Sequence, residues 1–401
     1  MAPLSVDEAL ARILAGVEPL ETEPAPIAEA HGRTLAAPLA ATRTQPPFNA
    51  SAMDGYAVRA ADIARLPVSL DVVGTSAAGR RFKGSIGEGQ SVRIFTGAPV
   101  PAGADAIVVQ ENTHRIGDRV EVTDNRIEPG YIRPCGFDFV AGQTLLDATR
   151  PLNARDVALA AAMGHAEVLV RRRPRVAILA TGDELVPPGV TPGVDQIICS
   201  NVYGLAAMIE QAGGEARLIG IAADNRASLE SRLKEARGAD ILVTSGGASV
   251  GEHDIVAPVL RECGAALDFT TVAIRPGKPL LFGRLGGMRV LGLAGNPVSS
   301  LVCGRVFLVP LIRRMLGLEA LNFARTRARL ASGLPANGPR QHYARAKLKL
   351  AENGALFAWP ARSQDSSLLS PLADADGLIV QPPNEAAWPA GREVDVLLLD
   401  F

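Results

Sequence analysis

The stretch Thr244-Ser245-Gly246-Gly247-Ala248-Ser249-Val250-Gly251-Glu252-His253-Asp254 decides the fold. It follows the apolar run Ile241-Leu242-Val243, which has the continuous hydrophobicity of a parallel strand buried on both faces. The three glycines and two serines that come next let backbone N–H groups close on a phosphate. Asp254 ends the loop with a hard oxygen ligand suited to Mg²⁺. About twenty residues on, Arg275-Pro276-Gly277-Lys278-Pro279 sets two cations on a stiff turn. Strand, anion-cradling loop, carboxylate and basic turn together point to a nucleotide or another phosphorylated ligand. No Gly-Lys-Ser/Thr follows, so this is not a Walker A loop. The alternative for the loop alone is an ordinary glycine-rich α/β connection.

Outward from this stretch, residues 174–315 alternate strand and helix. Val176–Ala180, Ala216–Ile221, Ile241–Val243, Leu280–Phe282 and Val290–Leu293 read as strands. Helices fit Ser200–Gln211, stopped by Gly213-Gly214, then Ser228–Ala236 and Ser299–Met315. Such alternation predicts a parallel sheet with helices on both faces and a ligand beyond the carboxyl ends of its strands. Thr181-Gly182-Asp183-Glu184, Ser245–Asp254 and Gly295-Asn296-Pro297 all fall at those ends.

Earlier in the chain, Ser5-Val6-Asp7-Glu8 is a capping box opening a helix to about Gly16 or Val17. His31 to Pro38 reads as a short helix, and Asn153 caps another that runs to Met163. Short strand-like pieces separated by glycine and proline fill residues 51–143: Val68–Val73, Ser91–Phe95, Ala106–Gln110 and Arg119–Val122. Arg345–Leu350, Leu356–Trp359, Gly377–Val380 and Glu393–Leu398 suit a small C-terminal barrel or sandwich. The expected division is a helical linking domain (1–50 plus 144–173), a β-rich insertion (51–143), an α/β domain (174–323) and a β domain (324–401).

At 401 residues more than one domain is expected. A formal net charge of −1 argues against a broadly basic nucleic-acid surface. The four cysteines, Cys135, Cys199, Cys263 and Cys303, form no C-x-x-C pair, so a zinc knuckle or disulfide framework is not expected and a reducing compartment fits. The start of the chain shows no signal peptide, and Val306–Ile312 is too short to span a bilayer. A soluble cytoplasmic protein, with neither membrane nor nucleic-acid partner, is the expectation.

Four carboxylates occupy predicted loops: Asp138, Glu184, Asp224 and Asp254. Each alone reads as a turn or capping residue. Their joint placement near predicted strand ends fits Mg²⁺, which takes one or two carboxylates plus substrate oxygens. Arg275, Lys278 and Arg345 can receive oxyanions, with Ser299 adding a hydroxyl. Taken alone, Arg345 reads as an exposed strand residue. A second cluster comprises Phe48–Val58 around Asp54, Arg93–Pro99 around Thr96, and Arg133-Pro134-Cys135-Gly136-Phe137-Asp138. Spacing does not show whether this cluster meets the phosphate loop.

Six segments resemble MoeA-type molybdopterin molybdenumtransferases, whose eukaryotic counterpart is the gephyrin E-domain. They are SAMDGYAV (Ser51–Val58), RIFTGAP (Arg93–Pro99), TGDEL (Thr181–Leu185), TSGGASVGEHD (Thr244–Asp254), RPGKP (Arg275–Pro279) and GNPVS (Gly295–Ser299). They stand in the family order and cover essentially the whole chain. The resemblance implies a multidomain α/β plus β protein: a molybdopterin-binding parallel α/β core, a β-rich insertion and a small C-terminal β-barrel. It also implies an elongated homodimer with an intersubunit active site. There Asp54, Thr96, Arg133 and Asp138 of one subunit would join Glu184, Asp224 and Asp254 of the other.

The implied reaction takes adenylyl-molybdopterin and molybdate to molybdenum cofactor and AMP, with Mg²⁺. By the same resemblance Glu184 and Asp254 hold the metal, and Ser200, Asn201, Ser245, Gly246, Gly247, Ser249 and Gly251 hold the ligand's phosphates. Arg275, Lys278, Ser299, Arg345 and Ser366 receive molybdate, Arg133, Gly277, Asn296 and Pro297 belong to the wider substrate-binding set, and Asp54 and Asp138 handle protons. Implied partners are a molybdopterin adenylyltransferase and the molybdoenzymes, or their chaperones, that accept the cofactor. Three positions depart from the family pattern: Arg275 replaces a usual lysine, Ala294 a usual proline and Cys199 a usual aspartate. The competing expectations are adenylyl transfer to molybdopterin, which uses the same α/β core, and a scaffold that keeps only the fold.

Overall fold

The computed structural model describes residues 3–247, 255–321 and 324–399. Ser249, Gly251 and Asp254 therefore lie outside the described residues.

The phosphate-loop strand forms as Ile241–Ser245, and all five of its residues are buried. It sits inside a six-stranded sheet ordered Glu215–Ala222, Arg175–Thr181, Ile241–Ser245, Met288–Leu293, Pro279–Leu285, Ala266–Thr271. The first four strands are parallel. The last two are antiparallel, which corrects the all-parallel expectation. The reason is local: Leu285 pairs with Met288 across Gly286-Gly287, a two-residue hairpin, and a parallel crossover needs a dozen residues or more.

One face of this sheet carries Val176, Ile178, Val243 and Leu291, packed on the helices Asn201–Gln211 and Pro297–Cys303. The other carries Ala177, Leu179, Leu242 and Val290 against Leu229, Leu233 and Val259. Each buried Leu or Val contributes about 1.5–3 kcal/mol relative to exposure. The first helix, Val6–Leu14, has the predicted capping box and adds Val6, Ala9 and Ile13 to the first face. It ends two residues short of Gly16.

The predicted helix Ser299–Met315 is an interrupted one. Pro297–Cys303 and Val309–Met315 are α-helical, and Gly304–Leu308 between them takes a π turn with the Val309 N–H on the Gly304 carbonyl. Pro310 has no N–H to give the Val306 carbonyl, so one turn is rewound rather than broken. The expected helix at His31–Pro38 is absent. Thr34 and Leu35 instead bridge Pro151 and Val170, and Gly32 holds a left-handed φ of +74°.

The β-rich region forms a six-stranded sheet ordered Ala106–Val109, Gly55–Val58, Gln90–Ile94, Val68–Ser76, Arg119–Val122, Thr113–Ile116. A smaller core joins Leu35, Phe139, Leu152, Met163 and Val170, with Asn153 capping Ala154–Ala162 as expected. The C-terminal strands close into a barrel. Gln341–Leu350 pairs with both Leu356–Pro360 and Gly377–Gln381, and the circuit runs through Arg325–Leu330 and Glu393–Leu398.

The barrel is stitched to the α/β domain. Ile274-Arg275 pairs in parallel with Gln341-His342, and the Gln341 N–H donates to the Ala273 carbonyl at 2.8 Å. A predicted basic turn and a predicted barrel strand thus share backbone hydrogen bonds.

Candidate functional site

A cleft of about 1010 Å³ opens at the carboxyl ends of the parallel strands, walled on one side by the barrel. Its floor is Ser245-Gly246-Gly247. Gly246 and Gly247 hold φ of +101° and +59°. A Cβ on Gly246 would stand 2.4 Å from the Thr181 carbonyl oxygen, and one on Gly247 would stand 2.5 Å from Val256 Cγ2. Only glycine fits this turn. The Thr181 hydroxyl beside it is buried and has no hydrogen-bond partner among the described residues, leaving a polar atom of the cleft wall for a ligand to meet.

Two carboxylates of the predicted set reach this cleft, Glu184 and Asp224. They come from the loops after neighbouring parallel strands, tied by reciprocal bonds: Asp224 N–H to Asp183 Oδ1 at 2.9 Å and Asp183 N–H to Asp224 Oδ2 at 3.4 Å. The Glu184 carboxylate folds over Gly182, where a Cβ would come within 2.4 Å of Oε2. Among the described residues no three metal-ligating side chains cluster. A pair of carboxylates still suits Mg²⁺, which draws its remaining oxygens from substrate and water.

Two helix N-termini also face the cleft, at Ser200-Asn201 and at Asn296-Pro297. Ser200 makes no capping bond, so its hydroxyl is open to ligand. Asn201 is committed: its Nδ2 donates to Ser245 Oγ at 3.0 Å and to the Gly295 carbonyl at 2.8 Å, clamping the loops after two strands. Cys199, below that helix, is buried. Burial pushes its thiol pKa up; the Val202 N–H it accepts acts the other way, and the Glu184 charge adds to the rise.

The basic turn delivers Arg275 and Lys278, both exposed. Gly277 (φ +104°) is pressed onto the underlying helix, where a Cβ would lie 2.3 Å from Cys303 Sγ. Ser299 and Ser366 complete the predicted cleft residues. Ser366 belongs to a barrel loop docked on the helix start: Asn296 Nδ2 donates to Ser366 Oγ at 3.1 Å and the Val298 N–H to its carbonyl at 3.2 Å.

Arg345 corrects the sequence expectation. It is 1 % exposed and does not line the cleft. Its guanidinium donates to the carbonyls of Leu368 (2.9 Å), Ser363 (3.1 Å) and Asp365 (2.9 Å), and to Gln364 Oε1 (3.4 Å). It braces the loop that carries Ser366. The cation that the barrel does present to the cleft is Arg340, which sequence reasoning missed, together with Gln364, Asp365 and Ser367. The only sequence signal was its place after Gly338-Pro339, at a turn entering a strand.

Asp54, Thr96, Arg133 and Asp138 do not line the cleft of their own chain. Asp54 Oδ1 accepts the Thr96 N–H at 2.7 Å and its hydroxyl at 2.8 Å. These bonds, with Arg93 nearby, hold the Asp54 pKa below the usual carboxylate value. Arg133 pairs with Ala50 across a two-stranded ribbon, and the Asp138 N–H donates to the Gln45 carbonyl at 3.0 Å.

This arrangement has known counterparts. Residues 4–164 match the MoeA N-terminal region (domain I and II), 177–314 a probable molybdopterin binding domain, and 327–399 the MoeA C-terminal region (domain IV). A molybdopterin molybdenumtransferase from Nostoc is 39% identical over 388 residues, 94% of this chain and 89% of the relative. One from Bacillus subtilis is 34% identical over 408 residues, 99% and 94% of the two chains. A molybdopterin biosynthesis MoeA protein from Pyrococcus horikoshii, solved by crystallography, superposes with a TM-score of 0.84 at 32% identity, covering 100% of both chains.

Proposed function

Since this chain belongs to the MoeA-type molybdopterin molybdenumtransferases of molybdenum cofactor biosynthesis, we propose that its cleft takes adenylyl-molybdopterin and molybdate and releases AMP in a Mg²⁺-dependent reaction. The observation that carries this reading is the division of the cleft by charge. Glu184 and Asp224 stand at the sheet end, and the cations Arg275, Lys278 and Arg340, with the carboxylate Asp365 among them, at the barrel end. None of these three cations has an ion-pair partner among the described residues.

The Gly246-Gly247 turn, the Ser200 hydroxyl and the helix N-terminus above it receive the phosphates of the ligand. The Thr181 hydroxyl gains a partner when that site fills. Glu184 would hold Mg²⁺, with Asp254 the second ligand implied by the family. When bound, the metal neutralises charge on the phosphoanhydride. Molybdate, as substrate, lies among the cations, with Ser299 and Ser366 as hydroxyl donors.

Asp54, Thr96, Arg133 and Asp138 enter as the contribution of a second copy in a homodimer. Phe137 and Val140 beside Asp138, Ile197 lining the cleft, and Tyr203 on the helix that starts there are exposed apolar side chains suited to such a contact. Asp54, held ionised by Thr96, acts there as a proton acceptor or electrostatic partner rather than as an acid. A molybdopterin adenylyltransferase supplies the adenylylated substrate, and molybdoenzymes or their chaperones take the product.

Glu184→Ala should abolish AMP release while leaving dimerisation, read by light scattering, intact. Full activity in that variant would remove Glu184 from the metal site. An ATP-dependent adenylylation assay separates the neighbouring activity, and the expected result is no product.

A further inference from the structure

Resting on the reading of a site shared between two copies, we infer that Phe95 is a stacking platform acting in trans. It receives a flat heteroaromatic ring of the substrate, the pterin or the adenine, in the cleft of the other copy.

The cleft of one chain lacks a matching surface. The adenylylated pterin carries two flat heterocycles, yet among the described residues no aromatic side chain lines the cleft. Flat heterocycles stack on aromatic faces whatever their edge pattern, so an aromatic ring brought by a second copy would complete the site.

Phe95 is built for that part. It follows the strand Gln90–Ile94 and is 38% exposed. Arg93, two residues earlier, lies over its ring, with the guanidinium carbon 4.9 Å from the centroid. The same guanidinium lies 5.1 Å from the ring centroid of Tyr56, which is buried and stands opposite Arg93 in the neighbouring strand. Arg93 is fixed in turn: Nη2 donates to Gln110 Oε1 at 2.7 Å and Nη1 to the Gly55 carbonyl at 3.3 Å. A pinned cation holds the Phe95 ring in place before any ligand arrives, which lowers the ordering cost of binding. Phe137 is also exposed, but among the described residues it has neither a cation nor another aromatic ring against its own. The residue after Phe95 is Thr96, whose N–H and hydroxyl clasp Asp54. Stack and clasp form one unit, so a second copy that brings Asp54 to the cleft brings Phe95 with it.

Binding of AMP and of pterin to the full chain should be measured separately by calorimetry, with dimer mass checked by light scattering. Phe95→Trp should bind both probes at least as well as wild type. Phe95→Leu keeps apolar bulk without the aromatic face. It and Phe95→Ala should bind one probe at least about fivefold more weakly, and the probe affected names the ring that stacks. The KM for adenylyl-molybdopterin should rise more than kcat falls. Mixing Phe95→Ala with Glu184→Ala subunits should restore the wild-type KM, because each mixed dimer holds one cleft with Glu184 facing an intact Phe95. A mixture that keeps the raised KM would overturn action in trans. Unchanged binding of both probes in Phe95→Ala would overturn the platform and leave the shared site standing. Wild type that binds neither probe would overturn the reading of the cleft, and the platform with it.

Discussion

His342 ties acid stability to the wall of the cleft. Burial first, then the charges of Arg275, Arg345 and Arg340, hold its folded pKa at about 4, below the ordinary value of 6.5. Between those values the unfolded chain binds more protons than the folded one, so stability falls as pH drops. The contribution is full above pH 6.5 and is lost as pH falls toward about 4, by up to about 3 kcal/mol. His342→Gln should flatten that slope, measured as urea midpoints at about pH 5 and pH 7.5; an unchanged slope would place the acid sensitivity elsewhere. Gly246→Ala tests the floor of the site. A methyl 2.4 Å from the Thr181 carbonyl at φ +101° should lower the melting temperature and weaken ligand binding, with backbone strain alone costing about 1–2 kcal/mol. At this scale the sequence was legible where chemistry is local. Gly246, Glu184 and Lys278 sit in short motifs and reach the cleft. Arg340 lines the cleft and Arg345 does not because burial is decided by tertiary packing: one stands just before the barrel strand and the other within it, and no local pattern says which one faces inward.

Two short segments at the cleft depend on bracing from behind. Arg345 holds residues 363–368 through four hydrogen bonds, and the far side of that loop docks on the helix beginning at Pro297. Arg345→Met should remove the donor that the carbonyls of Ser363, Asp365 and Leu368 share and loosen that loop. Hydrogen exchange in residues 363–368 should quicken and the KM for molybdate rise; unchanged exchange with lost binding would return Arg345 to direct ligand contact. Most elements were readable from periodicity and capping, as at Ser5 and Asn153, whose capping bonds form as expected. The misreadings share one physical cause, a neighbour overriding local preference. His31–Pro38 has short-range helical spacing but pairs with the strand that ends at Arg171. The strand–helix alternation favoured a parallel reading of Leu280–Phe282 and Val290–Leu293, which the Gly286-Gly287 turn joins as a hairpin.

Across the whole molecule, the six motifs divide between the cleft and the β-rich sheet. Four of the six, TGDEL, TSGGASVGEHD, RPGKP and GNPVS, contribute residues to the cleft, while Asp54, Thr96, Arg133 and Asp138 remain outside it. No spacing rule could show this, because the distance between the two groups is set by how the domains pack. No helix of the described residues is long and apolar enough to cross a membrane. If the site is shared between subunits, Asp54→Asn and Glu184→Ala should each be inactive alone. Subunit exchange between them should restore roughly a quarter of wild-type activity, since half the dimers are mixed and each has one complete site. No recovery on mixing would confine the site to one chain. The most direct measurement of the central claim is AMP release from adenylyl-molybdopterin by the purified protein with Mg²⁺, with and without molybdate. Molybdate-stimulated release, with molybdenum retained on the pterin, is the predicted result. Tight binding of the adenylylated pterin with no cleavage in either condition would contradict it and make the protein a carrier.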